Sequence, residues 1–254
     1  MPPTYAVYAL MVGMAENWMR SGIMPCIRSD AGREEPVPYI IWCLDGPDGA
    51  VVVDTGYHPD YVSAAWAQGK NFREPPGLLA EIGVKVDEVR TVIVTHFHLD
   101  HFTGFDFFPR ATFVIQRAEY EFWTGPLMRY PYFNNQIQPK VRPALERLVQ
   151  AGRVRLVEGD TELLPGLGVV RVGGHTPGSQ MVSAATPLGT AVICGDVAYT
   201  YRNLHERLPV GWYYNLADCV VALERAISTA TQPDLAFPNH DLSLLQGKRV
   251  VRVV

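Results

Sequence analysis

The chain has 254 residues, 48% of them hydrophobic, with a mean hydropathy near zero and a formal net charge of −4. That is apolar material enough for a large core, in one big domain or two small ones. An acidic balance with no Lys/Arg-rich block argues against nucleic acid and anionic membrane surfaces as partners.

In chain order, the first apolar run is "YAVYALMVGMA", residues 5–15. It has no basic leading segment and falls well short of the roughly 20 residues a membrane helix needs. It reads as a first strand, with nothing to export the chain. Strand-like runs follow at "PYIIWCL", "AVVVD", "TVIVT", "TFVIQ", "GRVRLVE", "GVVRV" and "TAVICG". Helices are predicted between them. "PPGLLAEIG" opens on prolines and stops at Gly83, and "PKVRPALERLVQAG" stops at Gly152. In "NLADCVVALERAISTA", Asn215 is the expected N-cap, Asp218 sits in the first turn, and Leu216, Cys219, Val220, Leu223 and Ile227 form the apolar stripe. Of the four cysteines, Cys26, Cys43, Cys194 and Cys219, none shows a paired spacing. They read as small buried hydrophobes of a protein in the reducing cytoplasm.

Strands and helices thus alternate over about 1–110 and again over about 150–254, and a single domain spanning 1–254 is the expectation. "PDGAVVVD" and "PLGTAVICGD" echo each other as a Pro-x-Gly turn, a buried strand and a terminal Asp. Between the halves lies "EYEFWTGPLMRYPYFNN", residues 119–135, richer in aromatics than a connection requires. Its side chains are expected either to wall a substrate pocket or to turn onto the core or a second copy of the chain, as in a homodimer.

Chemistry concentrates at the ends of these runs. "VIVTHFHLDHFTG" starts apolar and ends with His96, His98, Asp100 and His101 inside six positions. Crowding imidazoles and carboxylates against a core is costly unless something pairs with them, and a metal ion is the usual something. In extended chain, His96 and His98 face one side and can reach one ion. Asp100 and His101 follow where the chain turns and can serve a second. An isolated His-x-His is as easily an accident; four ligand types together are not. His175 in "VGGHTPGSQ", Asp196 ending "AVICGD" and His240 in "LAFPNHD" each stand directly after a strand-like run, where sites in alternating α/β chains gather. His58 and His205 sit among polar or turn residues and read as surface.

"HFHLDH", "GHTPG", "GD" and the late His together resemble the metallo-β-lactamase superfamily, from "VVVDTG" to "PNHD". The resemblance implies an αβ/βα sandwich, two mixed β-sheets face to face with helices outside and metals at one edge. It implies that His96, His98 and His175 hold one ion, that Asp100, His101 and His240 hold another, and that Asp196 bridges them. Asp54 in "VVVDTG" matches an aspartate that supports the site from behind, although an Asp before Thr-Gly can equally be a plain turn former. Zinc suits imidazoles with carboxylates; iron, manganese or cobalt fit the same two divalent sites.

Within the superfamily, Asp196 rather than Cys194 occupies the bridging position, unlike the β-lactamases that use a cysteine ligand. Tyr199, three residues past Asp196, resembles the N-acyl homoserine lactone lactonases, which carry a tyrosine there beside the substrate carbonyl. Their "HTPGH" is "HTPGS" here, with Ser179 replacing a histidine that is not a ligand. The implied activity is hydrolysis of a small-molecule lactone, acyl-homoserine lactones first. A hydroxide between the ions attacks, Tyr199 donates to the oxyanion, and Asp100 or its water returns the proton to the ring oxygen. The alternatives are a lactonase or esterase for another ring, such as an aromatic pyridoxolactone type, a glyoxalase II-like thioesterase, and a mononuclear-iron persulfide dioxygenase.

Overall fold

The computed structural model describes residues 2–23, 32–61, 69–134 and 141–254; Cys26, residue 135 of the aromatic stretch and residues 139–140 of the second predicted helix lie outside them. Thirteen strands are found among the described residues. β1 (Ala6–Met19), β2 (Glu34–Gly46), β3 (Gly49–Val53), β4 (Gly69–Lys70), β5 (Thr91–Ile93), β6 (Thr112–Gln116) and β7 (Val154–Val157) come first. β8 (Thr161–Leu164), β9 (Leu167–Arg171), β10 (Gln180–Thr186), β11 (Gly189–Ile193), β12 (Ala236–Phe237) and β13 (Val250–Arg252) complete them.

They form two mixed sheets. The first has the order β13-β1-β2-β3-β5-β6-β7, with β4 beside β1; the second runs β12-β11-β10-β9-β8. Strands β3, β5, β6 and β7 are parallel, as are β11 and β12, while the remaining pairs are antiparallel. The two halves read from the sequence are therefore not closed units. The last strand, β13, leaves the second half and pairs with β1 in the first sheet.

Strict alternation explains why the first sheet is buried on both sides. From β2, Ile40, Trp42 and Leu44 enter the layer shared with the second sheet, while Tyr39, Ile41 and Cys43 face the other way. Val51 and Val53 against Val52, and Val114 against Phe113 and Ile115, repeat the division. The shared layer is completed by Leu167, Val169, Val182, Ala184, Ala191 and Ile193 of the second sheet, with Gln180 on the same face reaching Val94 O of the first. On the outer face of the first sheet lie Leu78 and Leu79 of helix Pro75–Glu81 and Val141, Ala144, Leu145 and Leu148 of helix Val141–Gln150. Helix Leu216–Thr229 packs against the second sheet, giving helix–sheet–sheet–helix.

Asn215 caps that last helix as expected, its Oδ1 accepting from the N–H groups of Ala217 and Asp218. The buried stripe differs from the predicted one. Cys219, Ala222, Leu223 and Ala226 face inward, Ile227 is half-buried, and Leu216 and Val220 are exposed. Small alanines let the helix lie close to the sheet, which rotates the larger residues outward. The aromatic stretch is not a bare connection: it holds helix Arg117–Thr124, a 3-10 turn Pro126–Arg129 and a short helix Pro131–Asn134. Cys43, Cys194 and Cys219 are buried, and burial pushes each thiol up to about 12. Among the described residues no helix is long and apolar enough to cross a membrane.

Candidate metal centre

Strand ends converge at one edge of the seam between the sheets. β3 runs out at Asp54, β5 at Thr95–His96, β9 at the Gly173-Gly174-His175 turn, β11 at Asp196 and β12 at Asn239–His240. Asp100 and His101 lie in the short helix Leu99–Phe102. The tight turn before His175 requires glycine. Gly174 has φ +86°, and a Cβ there would stand 2.7 Å from the backbone nitrogen of Cys219. His240 and Tyr199 are set side by side by the backbone: Asn239 N–H donates to Ala198 O (3.0 Å) and His240 N–H to Tyr199 O (2.8 Å).

The seven expected ligands form two groups. His96, His98, His175 and Asp196 offer donor atoms all within 4.8 Å of one another, and so do Asp100, His101 and His240. Asp196 faces both. Its Oδ2 lies 3.2 Å from His175 Nε2 and 3.5 Å from His96 Nε2, and its Oδ1 lies 3.0 Å from His240 Nε2 and 3.2 Å from His101 Nε2. Asp100 Oδ2 closes the second group at 3.4 Å from His101 Nε2 and 3.7 Å from His240 Nε2.

Hydrogen bonds on the far side of each ring decide which nitrogen carries a proton. His175 Nδ1 can only donate to Trp212 O (2.7 Å), and His240 Nδ1 to Pro38 O (2.8 Å). Thr95 Oγ1 gives its proton to Asp54 Oδ2 (2.8 Å), so it accepts from His96 Nδ1 (3.1 Å). His101 Nδ1 donates to Asp54 Oδ2 (2.7 Å). His98 instead turns Nδ1 toward His96 Nε2 (3.0 Å) and His175 Nε2 (2.8 Å) and leaves its buried Nε2 without a hydrogen-bond partner. In the other four rings, when neutral, every Nε2 is then a bare lone pair. Two of these, on His96 and His175, sit 3.2 Å apart, and those of His101 and His240 face carboxylates. Lone pairs and carboxylates aimed at common points repel unless a cation sits among them. Tetrahedral ligands about 2.0–2.1 Å from zinc lie roughly 3.3 Å apart, the spacing found here. His101 Nε2 is buried with no hydrogen-bond partner although two carboxylates are near it. The residues fit two divalent ions.

Titration follows the same geometry. Burial and neighbouring imidazoles push His98 down to about 3 and His96 well below the usual range. Burial acts the same way on His101 and His240, but Asp196 and Asp100 outweigh it and hold both rings above the usual value. Burial alone would raise Asp196 and Asp100; the surrounding imidazoles, His101 foremost, hold both carboxyls down.

Asp54 is more than a turn former. Fully buried at φ +61°, it accepts from Thr95 N (2.7 Å) and Thr95 Oγ1 besides His101. Tyr199 is 1% exposed, its ring 5.0 Å from that of His240 and 6.0 Å from that of His175. Burial and Asp196 hold its hydroxyl well above the usual phenol range, so it stays a donor. His58, half-buried and stacked on Phe107 at 4.8 Å, and the exposed His205 stay outside both groups, as expected.

Residues 119–134 are partly buried and partly exposed. Trp123 and Met128 turn into the core, whereas Leu127, Tyr130 and Tyr132 are exposed. Trp123 nonetheless stands 5.9 Å from the His98 ring, with Phe122 against it at 4.9 Å and Tyr214 against Phe122 at 5.3 Å. Three partners of the site went unread in the sequence. Glu119 is buried between two ligand loops, Trp212 lies 6.1 Å from His98, and Trp18 lies 5.7 Å from Tyr199. The run "GWYYN" was the available signal for Trp212; nothing local marks Glu119.

Known proteins share this family and fold. A family profile described as the metallo-beta-lactamase superfamily matches residues 34–234. An N-acyl homoserine lactonase of Bacillus cereus is 26% identical over 226 residues, covering 83% of this chain and 84% of its own. The N-acyl homoserine lactonase AiiB of Agrobacterium fabrum is 27% identical over 184 residues, covering 65% of this chain and 63% of its own. A solved quorum-quenching N-acyl homoserine lactone lactonase superposes with a TM-score of 0.75 at 20% identity, over 97% of this chain and 96% of that one. A probable metal-dependent hydrolase from Staphylococcus aureus superposes at 0.76 with 16% identity, over 95% and 91%.

Proposed function

The chain belongs to the metallo-β-lactamase superfamily, and we propose that it is a dinuclear-metal lactonase acting on N-acyl homoserine lactones. The observation that carries this reading is the bridging position of Asp196, one oxygen toward each histidine group. The substrate class is supported by the lactonase relatives at 26–27% identity.

In this reading His96, His98 and His175 hold one ion, Asp100, His101 and His240 the other, and Asp196 both. Two divalent cations there would bring the pKa of water near neutrality and polarise the ester carbonyl. The protein's own groups do the rest. Tyr199, kept as a neutral phenol, donates to the oxygen on which charge grows as the carbonyl becomes tetrahedral, an interaction that strengthens toward the transition state. Asp100 starts as a carboxylate. It can take the proton released when water adds and return it to the ring oxygen as the C–O bond breaks, leaving an open-chain hydroxy acid. Asp54, Trp212 O and Pro38 O hold the ligand rings in the tautomers this requires.

Metal analysis of purified protein with a lactone panel tests the reading. The expected result is two divalent ions per chain and hydrolysis of acyl-homoserine lactones. One iron per chain with oxygen consumption, or two ions without lactone turnover, overturns it.

A further inference from the structure

Glu119 is a buried carboxylate, 1% exposed, in the first turn of helix Arg117–Thr124. Its Oε1 accepts from Phe97 N–H (2.9 Å) and Trp123 Nε1–H (2.7 Å). Its Oε2 accepts from Gly178 N–H (3.0 Å) and Thr176 Oγ1–H (2.7 Å). Phe97 stands between His96 and His98, and Thr176 and Gly178 follow His175 in the same turn. One side chain therefore ties together the two loops that carry all three histidines of the first group. No cation is among these partners, so the four donors are what stabilise the charge.

The second loop is shaped to this carboxylate. Ser179, at the position where the related lactonases carry a second histidine, accepts from Thr176 N–H through Oγ (3.0 Å) and lies 2.7 Å from Thr176 Oγ1. A Cβ at Gly178 would stand 2.1 Å from Glu119 N, so only glycine lets the turn approach the helix. Trp123, the remaining donor, is the ring beside His98.

We infer that Glu119, working with Thr176 and Ser179, is the positioning residue of the three-histidine site, fixing the spacing between the His96–His98 loop and the His175 loop. The inference rests on the metal-centre reading above. It makes the affinity of one ion, and not the other, depend on a residue that touches neither. Glu119→Gln tests it almost isosterically. Each carboxylate oxygen faces a backbone N–H, on Phe97 or on Gly178, which cannot rotate away. Whichever way the amide sits, its NH2 meets a donor, and one loop is released.

The experiment is cobalt titration of metal-free protein in competition with a chelator, followed by the visible absorption of the bound ion. Wild type should bind two ions. Glu119→Gln should bind one with wild-type affinity and the other at least about tenfold more weakly, with an altered cobalt spectrum for the weakened site alone. Should Glu119→Gln not fold, Thr176→Val removes a single donor at nearly constant volume and should weaken the same ion by a smaller factor. Two ions bound with wild-type affinities and spectra in the variant overturn the inference while leaving the dinuclear reading intact. Equal weakening of both ions shows a merely structural role and overturns it too. Fewer than two ions in the wild type overturns the reading beneath it, and the inference with it.

Discussion

Replacing Tyr199 with Phe removes one oxygen and little else. The ring is 1% exposed and held by His240 at 5.0 Å, Trp18 at 5.7 Å and His175 at 6.0 Å, all contacts that phenylalanine keeps. Asp196 retains its imidazole neighbours, so no buried group is left without a partner. The stability cost should thus stay near that of one ordinary hydrogen bond, about 1 kcal/mol. The catalytic cost should be larger, because the phenol donates most strongly to charge that exists only in the transition state. Loss of one such donor lowers kcat about 10²-fold, or about 2.7 kcal/mol. Steady-state kinetics on an acyl-homoserine lactone, with metal content measured on the same preparation, decides the matter. The expected result is two ions, a kcat down by that factor and a much smaller change in KM. An unchanged kcat with both ions in place would refute the reasoning and leave Tyr199 a packing residue.

Asp196→Asn removes the negative charge shared between the two groups; metal analysis should find at least one ion lost per chain, and most turnover with it. Asp54→Asn keeps the shape at φ +61°, a conformation asparagine tolerates, but turns an amide toward the donors Thr95 N, Thr95 Oγ1 and His101 Nδ1. The ion on the His101 side should then bind about 10–100-fold more weakly in chelator competition, and the other ion, reached only through Thr95 and His96, should weaken less. Across an acyl-chain series, each methylene buried against Phe122 and Tyr214 should raise kcat/KM about fourfold until that surface is filled. A flat response, or preference for a compact aromatic lactone, would count against the acyl-chain assignment.

The candidate ligands are legible because histidine and aspartate have little other reason to end a buried strand, and apolar runs such as "TVIVT" and "TAVICG" locate those ends. What stayed hidden has physical causes. β10, "QMVSAAT", and β8, "TELL", are built from small and polar residues whose strand preference comes from their neighbours. The three residues of β13 become a strand only because β1 offers them an edge. Helix Leu216–Thr229 departs from its predicted stripe because close packing on the sheet selects the small Ala222 and Ala226 over bulkier neighbours. Glu119 is invisible in sequence for another reason. Its four partners come from positions 97, 123, 176 and 178, and only one of them is near it along the chain.

Each ligand group draws on both sheets. His96 and His98 follow β5 of the first, while His175 and Asp196 follow β9 and β11 of the second; Asp100 and His101 are joined in the same way by His240 after β12. In terms of chain topology an ion in either group is a crosslink. The link from His98 to His175 closes a loop across a separation of 77 residues. Covalent closure of a loop that long is worth on the order of 4 kcal/mol through the unfolded chain it restrains, and a metal bound only by the folded form acts in the same direction. The ions would then fasten the two layers of the sandwich along their open edge, and metal supply would govern how long each molecule survives as well as whether it turns over.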